Sequence, residues 1–301
     1  QMSSLGSLTK RGLKLFFKDK GMLFSSLITP LILLVLYITF LAKVYKDSFL
    51  SSLEAAHVAD FPQELIDATV GGQLFSSLLA VCCITVAFCC NMTMVQDKVT
   101  GARKDLMMTP VKKSTLALSY YLSTFISTFI ICLIAEGASF IYLANVGWYL
   151  SASDILLSLL DVFLLVMFGT ALSSIVNFFL TSQGQISAVG TVVSAGYGFI
   201  CGAYMPISQF GGGLQKVLSF LPGTYGTALI RSHSLAGVFR EMSSLGFPND
   251  VVENIRKSID CSIYFFGNKV EVGAMYAILA GSVVAFIGIY ILLNILKKGK
   301  R

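Results

Sequence analysis

DVFLLVMFGTALSSIVNFFLTSQGQISAVGTVVSAGYGFICGAYMPISQFGGGLQK, residues 161–216, has no acid or base between its terminal Asp161 and Lys216, a gap of 54 residues. As a single helix rising about 1.5 Å per residue, that gap would far exceed a hydrocarbon core roughly 30 Å thick. It must span, turn and span again, and the polar TSQGQ (Thr181 to Gln185) is the turn. The rest of the chain agrees. Its 301 residues are 55% hydrophobic and only 13% charged, with a mean hydropathy of +0.77, whereas a soluble domain carries about 25% charged residues. A soluble enzyme, a nucleic-acid binder and a secreted disulfide scaffold are excluded as readings of the whole chain.

Backbone polar groups cannot stay unpaired in lipid, so each long apolar stretch reads as a helix. Working outward from the gap, spans are predicted over 22–42, 73–95, 115–144, 155–180, 185–205 and 272–296. The fold class is an all-α polytopic membrane protein with six transmembrane helices. Lys and Arg near span ends set its orientation. Six spans put both termini on one side, which holds five basic residues before Met22, five from Lys98 to Lys113 and four after Leu296. The other eight are diluted by acids such as Asp47, Glu54, Asp60, Glu64 and Asp67. Both termini are therefore expected in the cytoplasm, in a multi-pass cell-membrane protein.

The first apolar run, 21 residues from Met22, is longer than a signal-peptide core of about 7–15 residues, so it reads as a span rather than a cleaved signal. Before it, residues 5–20 read as an amphipathic helix lying in the inner headgroup region. Leu5, Leu8, Gly12, Leu15 and Phe16 share one face; Lys10, Arg11, Lys14 and Lys18 share the other. Residues 206–231 are apolar but interrupted by Gly211 to Gly213, Lys216 and Pro222-Gly223. That stretch is expected to form re-entrant or interfacial short helices, since broken backbone survives at membrane depth only against protein or a wet cavity. Residues 232–270 are expected to form a small extracellular cap. Asp250 three residues before Glu253 suggests a capping-box start, and CSIYFFGNKVEV a hairpin centred on Gly267-Asn268.

Of the seven cysteines, Cys82, Cys83, Cys89, Cys90, Cys132 and Cys201 fall in predicted spans and only Cys261 outside, so they imply no disulfide framework. No histidine lies in a predicted span, and packing is the preferred role of the cysteine pairs over a metal site. His57 and His233 both fall in outer loops, which removes zincin-type chemistry and intramembrane Ser-His chemistry. No GxxxxGK[ST] motif occurs, so the chain is expected to hold no catalytic residues, cofactor or metal of its own. Two acids fall within predicted spans, Glu136 and Asp161. Such residues are functional suspects. They either line a translocation path and meet a cationic group there, or are neutral, hydrogen-bonded to a neighbouring helix or snorkelling.

The loop 96–114, QDKVTGARKDLMMTPVKKS, carries the most information. A topology signal would need only its basic residues. Asp97, Asp105, Leu106 and Met107 add a mixed surface with an apolar ridge, suited to docking a cytoplasmic partner.

At this point the chain resembles the membrane subunit of an ATP-binding-cassette exporter of the ABC-2 permease family. The loop is similar to the family's coupling-helix region, with Asp97 as its acid, Gly101 four residues later, and Leu106 and Pro110 closing it. Lys98, Arg103, Lys104, Asp105 and Met107 complete the expected coupling residues. The family more often has Glu at the acid position, and Met107-Met108 replaces part of its leucine pattern. A second match is GAYMPISQFGGGLQKVLSFLPGTYGTALIR, where Gly202, Pro206, Leu221, Pro222, Tyr225 and Arg231 meet the family's re-entrant motif. The resemblance implies two copies of this chain, or one with a paralogue, bearing two cytoplasmic ATPase subunits that hold ATP and Mg. It also implies a path between copies formed by the second and fifth spans. An amphipathic or lipid-like molecule, a drug or a peptide suits the low intramembrane charge; membrane lipid is the other partner, and nucleic acid is not one. The alternatives are an ion-gradient-driven secondary transporter, which usually needs broken helices in both halves of a repeat, and an integral membrane enzyme or assembly factor.

Overall fold

Asp19 separates the first two helices: its carboxylate accepts a hydrogen bond from Met22 N at 3.1 Å and so caps the second where the first stops. The computed structural model describes residues 2–55 and 61–296, so His57, Asp60 and the basic tail 297–301 lie outside the described residues. α1 (Met2–Lys18) is followed by α2 (Lys20–Leu36), which runs through a π-helical turn at Tyr37–Leu41 straight into α3 (Ala42–Ala55). α4 (Gln63–Cys90), α5 (Met92–Val99) and α6 (Ala102–Met108) precede the long α7 (Lys113–Val146) and α8 (Ala152–Phe179). Then come α9 (Gln183–Ile200), a 3-10 turn at Ile207–Gln209, α10 (Gly212–Leu218), α11 (Pro222–Ser234), α12 (Ala236–Ser244) and α13 (Asn249–Ser258). A hairpin of β1 (Tyr264–Phe265) and β2 (Asn268–Lys269) leads to α14 (Val272–Leu296).

Five of these helical stretches are long and apolar enough to cross a membrane: Lys20–Ser51, Gln63–Val99, Lys113–Val146, Ala152–Phe179 and Val272–Leu296. α9 is not among them; its 18 residues open on Gln183-Gly184-Gln185, which lowers its hydropathy. The first span is also longer than expected. Lys43, Lys46 and Asp47 do not end the helix, because nothing there is a glycine or proline; charge marks the end of apolar character, not of helical structure.

α4 is the axis of the bundle. It is apolar on every side and rich in Gly, Ala, Ser and Cys, and it is buried along almost its whole length against α2, α7, α8, α9 and α11. Small residues let such helices approach closely: a Cβ on Gly169 of α8 would sit 2.7 Å from the Cys83 carbonyl oxygen. Cys82, Cys83, Cys90 and Cys132 are buried in this core as free thiols. α1 presses Gly12, Thr9 and Phe16 inward, and a Cβ on Gly12 would lie 2.6 Å from Ser123 Oγ of α7. Its predicted faces need one correction each: Leu15 is exposed, and Arg11 turns inward to an acid.

The segment after α11 is less of a separate piece than its sequence suggests. α12 and α13 form an apolar cluster with Phe49 and Leu53 of α3 and Leu65 and Ile66 of α4. Three distant stretches therefore supply one core, which some forty residues could not build alone. The capping box does not form. α13 starts behind Pro248 with no side-chain cap, and Glu253 instead accepts hydrogen bonds from Ser262 and Lys269. The hairpin turn sits one residue earlier than expected, on Phe266 (φ 48°) and Gly267 (φ 87°), a two-residue turn whose twist matches its strands.

Arg231 joins these parts. It has no exposed surface, so every donor needs a partner. Its guanidinium donates to Ser76 and Ser77 Oγ of α4 at 3.4 and 2.8 Å, and to the carbonyls of Ile259 and Gly202 at 3.0 and 3.1 Å. Asp260 lies 3.9 Å away and accepts from the backbone N–H groups of Ile207 and Ser208. Replacing Arg231 by Met should cost about 3–5 kcal/mol, the penalty of orphaning a buried partner charge. Adding Asp260→Asn should return part of that loss in thermal unfolding of the purified protein; simple additivity of the two would show that they are not partners.

Candidate functional site

The predicted coupling loop folds as an elbow. α4 breaks at Asn91, which donates to Ser173 and Ser174 Oγ of α8 at 3.0 Å each and accepts from Thr124 of α7 at 3.3 Å. α5 then runs to Val99, and the chain reverses through Gly101 at φ 86° before α6. Only glycine takes that left-handed conformation without strain.

Three charged residues of the elbow face the bundle rather than solvent. Asp97 was expected on the docking surface but is buried, because Arg11 of α1 and Tyr120 of α7 both reach it. Arg11 donates to its two oxygens at 2.7 and 3.1 Å, and the Tyr120 hydroxyl donates at 2.6 Å. The Asp97 carboxylate holds the Arg11 guanidinium above its ordinary pKa, against the opposing effect of burial. Lys98 donates to the carbonyls of Asn177, Phe178 and Leu180 at 2.7, 2.8 and 3.1 Å. It thus satisfies the open carbonyls at the end of α8, where a cation also suits the helix dipole. Arg103 donates to Asn294 Oδ1 of α14 at 2.8 Å. Left facing outward are Lys104, Asp105, Met107 and Met108, with Leu106 half-buried.

Of the expected motif residues, Gly202 reaches Arg231 through its carbonyl, and the others set or brace local turns along the chain that leads to it. Gly202 has φ 77°, and a Cβ there would meet Ile207 at 2.9 Å. Pro206 precedes the 3-10 turn; Leu221 and Pro222 start α11, with the proline in the first turn where its missing N–H is harmless. The Tyr225 hydroxyl donates to the Ser219 carbonyl at 2.5 Å.

Glu136 and Asp161 line neither of the apolar crevices that flank α2. Glu136 is buried and accepts from Ser158 Oγ at 2.8 Å, leaving Oε2 without a partner among the described residues. Asp161, with no exposed surface, meets His233 Nδ1 at the end of α11 and the Tyr276 hydroxyl of α14. His233 thus reaches a spanning helix although its sequence position suggested an outer loop. A 990 Å³ crevice lies instead between α2 and α9, lined chiefly by apolar side chains with Ser187, Thr191 and Ser194 along one wall.

A family model described as ABC-2 type transporter matches residues 3–233, which take in the elbow, all the motif residues and most of the spanning helices. The chain belongs to the ABC-2 type transporter family. It is the membrane domain of an ABC-type transporter, a transport permease. No curated protein matches the chain. In this ABC-2 permease the match ends at His233, so α12, α13, the hairpin and α14 lie beyond it.

In the sequence Arg11 stands only as part of a charged helix face, and nothing there reveals that Arg11, Asn91, Tyr120 and Asn294 hold the elbow to the bundle. Asn91 and Asn294 interrupt otherwise apolar runs, and that was the available signal. Replacing Asp97 by Asn should destabilise the α1–α5 contact by about 2–4 kcal/mol. Arg11→Met should cost less once Asp97→Asn is present. A double-mutant cycle on thermal unfolding would measure this coupling, and a coupling energy near zero would refute the pair.

Proposed function

We propose that this permease is the transmembrane subunit of an ATP-driven exporter of an amphipathic, lipid-like, drug or peptide substrate. In this reading two cytoplasmic ATP-binding-cassette subunits hold ATP and Mg. They act on a pair of permeases, two copies of this chain or one with a close paralogue. The observation that carries the reading is how α6 is mounted. Its outward face is exposed, while α6 and the α5 that precedes it are bonded to four helices: Asp97 to α1 and α7, Lys98 to α8, and Arg103 to α14. A displacement of α6 is therefore delivered to most of the bundle at once. Two conformations biased by ATP on the partner are all that such a coupling needs.

The orientation follows the same reasoning. α9 begins just after the α8 terminus that Lys98 caps, and it ends next to Ala203, whose carbonyl accepts from the Tyr45 hydroxyl of α3 at 2.5 Å. It thus runs from the elbow end of the bundle to the α3 end. We assign it as the fifth of six spans, about 27 Å long by its residue count. Both termini and the elbow are then cytoplasmic, as the basic residues require. α10 and α11 dip back from the outer face, and α12 and α13 form an extracellular cap. The crevice between α2 and α9 is the surface offered to substrate, and a second permease would close it.

Lys104→Glu with Met107→Glu, both exposed on α6, should lower recovery of the ATPase in a mild-detergent pull-down from the host at least tenfold. The size-exclusion profile of the permease should not change. Unaltered recovery, or a wild-type chain that comes out alone and inert to ATP, would overturn the coupling reading.

A further inference from the structure

α2 is thinly packed. Pro30 interrupts its hydrogen bonding, and Ile28, Leu31, Ile32, Val35 and Ile38 are all more than half exposed. A crevice runs along each flank. The one facing α9 belongs to the proposed substrate surface; the other, between α2, α4 and α7, does not. This second cavity has a volume of 420 Å³, and its walls include Leu27 and Leu34 of α2, Leu74 and Leu78 of α4, and Ile131 and Ala138 of α7. Polar groups on its walls are few, Tyr37, Ser139 and Tyr142.

Its length has a physical counterpart. Leu27 and Ile38 mark its extent along α2, about 16 Å of helix axis, close to the depth of one leaflet, half of a roughly 30 Å hydrocarbon core. At the Ile38 end the chemistry changes abruptly. Tyr142 also lines a second, polar cavity whose other walls include Lys43 and Lys46 of α3, Asp67 of α4 and Asn145 of α7. Lys46 is paired with Asp67 at 3.2 Å. Lys43 is exposed and has no ion pair among the described residues. An apolar slot one leaflet deep therefore opens directly beneath a net positive charge ringed by an amide and a phenol.

We propose that this composite crevice binds a glycerophospholipid with an anionic headgroup. One acyl chain lies between α2 and α7, and the phosphate sits at Lys43 with Lys46, Asn145 and Tyr142 around the headgroup. The occupant fits both halves of the site: an uncharged hydrophobic ligand would leave Lys43 unused, and a free phosphate would leave the slot unfilled. The inference rests on α2, α4 and α7 being spans, and on no reading of substrate or partner ATPase.

The full-length permease, reconstituted in phosphatidylcholine nanodiscs, would be photolabelled with phosphatidylglycerol carrying a mid-chain diazirine, and labelled peptides mapped by mass spectrometry. Peptides covering residues 131–142 should carry at least threefold more label than the α14 peptide around the exposed Val284. Ala138→Trp, which fills the slot, should bring them down to the α14 level. Lys43→Glu, at an exposed position, should reduce labelling by the phosphatidylglycerol probe about fivefold, with little change for a phosphatidylcholine probe. Equal label on α7 and α14 would mean bulk lipid only, and label on α7 below α14 would mean that another protein surface covers the crevice; either overturns the proposal. So would unchanged labelling in a monodisperse Ala138→Trp protein. Should that variant fail to fold, Lys43→Glu decides alone: an unaltered headgroup preference rejects the site.

Discussion

A guanidinium with no exposed surface is the constraint around which one end of this permease is organised. Burying a guanidinium without partners would cost more than the whole net stability of a typical domain. The hydrogen bonds of Arg231 therefore dictate where three other segments go. Ser76 and Ser77 fix α4, Gly202 fixes the chain leaving α9, and Ile259 with Asp260 fixes the end of α13. Asp260 takes a positive φ of 56° to do so, and its two backbone donors hold the 3-10 turn in place. Among the motif residues, Gly202 is thus the one whose turn brings a carbonyl to the arginine.

The other end of the bundle is tied by a different set of polar contacts, at the elbow. Between the two ends the spans differ sharply in how much packing they have to lose. The α4 span is 89% buried over its apolar window and the α2–α3 span only 12%. α2 also contains Pro30 and leads into the π-helical turn, both of which weaken the regular ladder. Moving α2 against α4 therefore sacrifices little buried area, while moving α8 or α11 against α4 breaks tight glycine contacts such as Gly169 on Cys83. The structure divides into a tightly packed centre and thinly packed outer helices; α2 belongs to the least buried of the five long apolar stretches, and both crevices lie along it.

What could be read from the sequence follows from which physical rule was in force. Hydrophobic length located the spanning segments, because a bilayer imposes its thickness on any chain. Motif spacing pointed to the elbow and to the turns between α9 and α11, because Gly101, Gly202 and Pro222 hold backbone geometries few other residues tolerate. Helix ends were legible only where a breaker stood. Lys43 and Asp47 suggested an end that the chain ignores, and α9, short and opened by glutamines, did not reach the hydropathy of its neighbours. The polar pairings were not legible at all. A lone Asp97, Arg103 or Asn294 announces that it needs a partner, yet Arg103 and Asn294 are 191 residues apart. No local pattern encodes that distance, so Asp97 read as surface charge although Arg11 and Tyr120 bury it.

The same reasoning changes the meaning of the segment after α11. The family match ends at His233, and taken alone the segment beyond it looks like an optional cap between two spans. Its packing says otherwise. Two of the groups that satisfy Arg231, the Ile259 carbonyl and the Asp260 carboxylate, come from beyond the match, while Arg231 itself lies within it. His233 adds a second tie, from the end of α11 to Asp161 in α8, with Tyr276 of α14 on the same carboxylate. A chain lacking this segment would have to find another counter-charge for Arg231, since a buried cation left without one is far more costly than the loss of a contact. The segment is therefore part of the electrostatic closure of the bundle. Its freedom to vary is limited at Asp260 even where its surface is not.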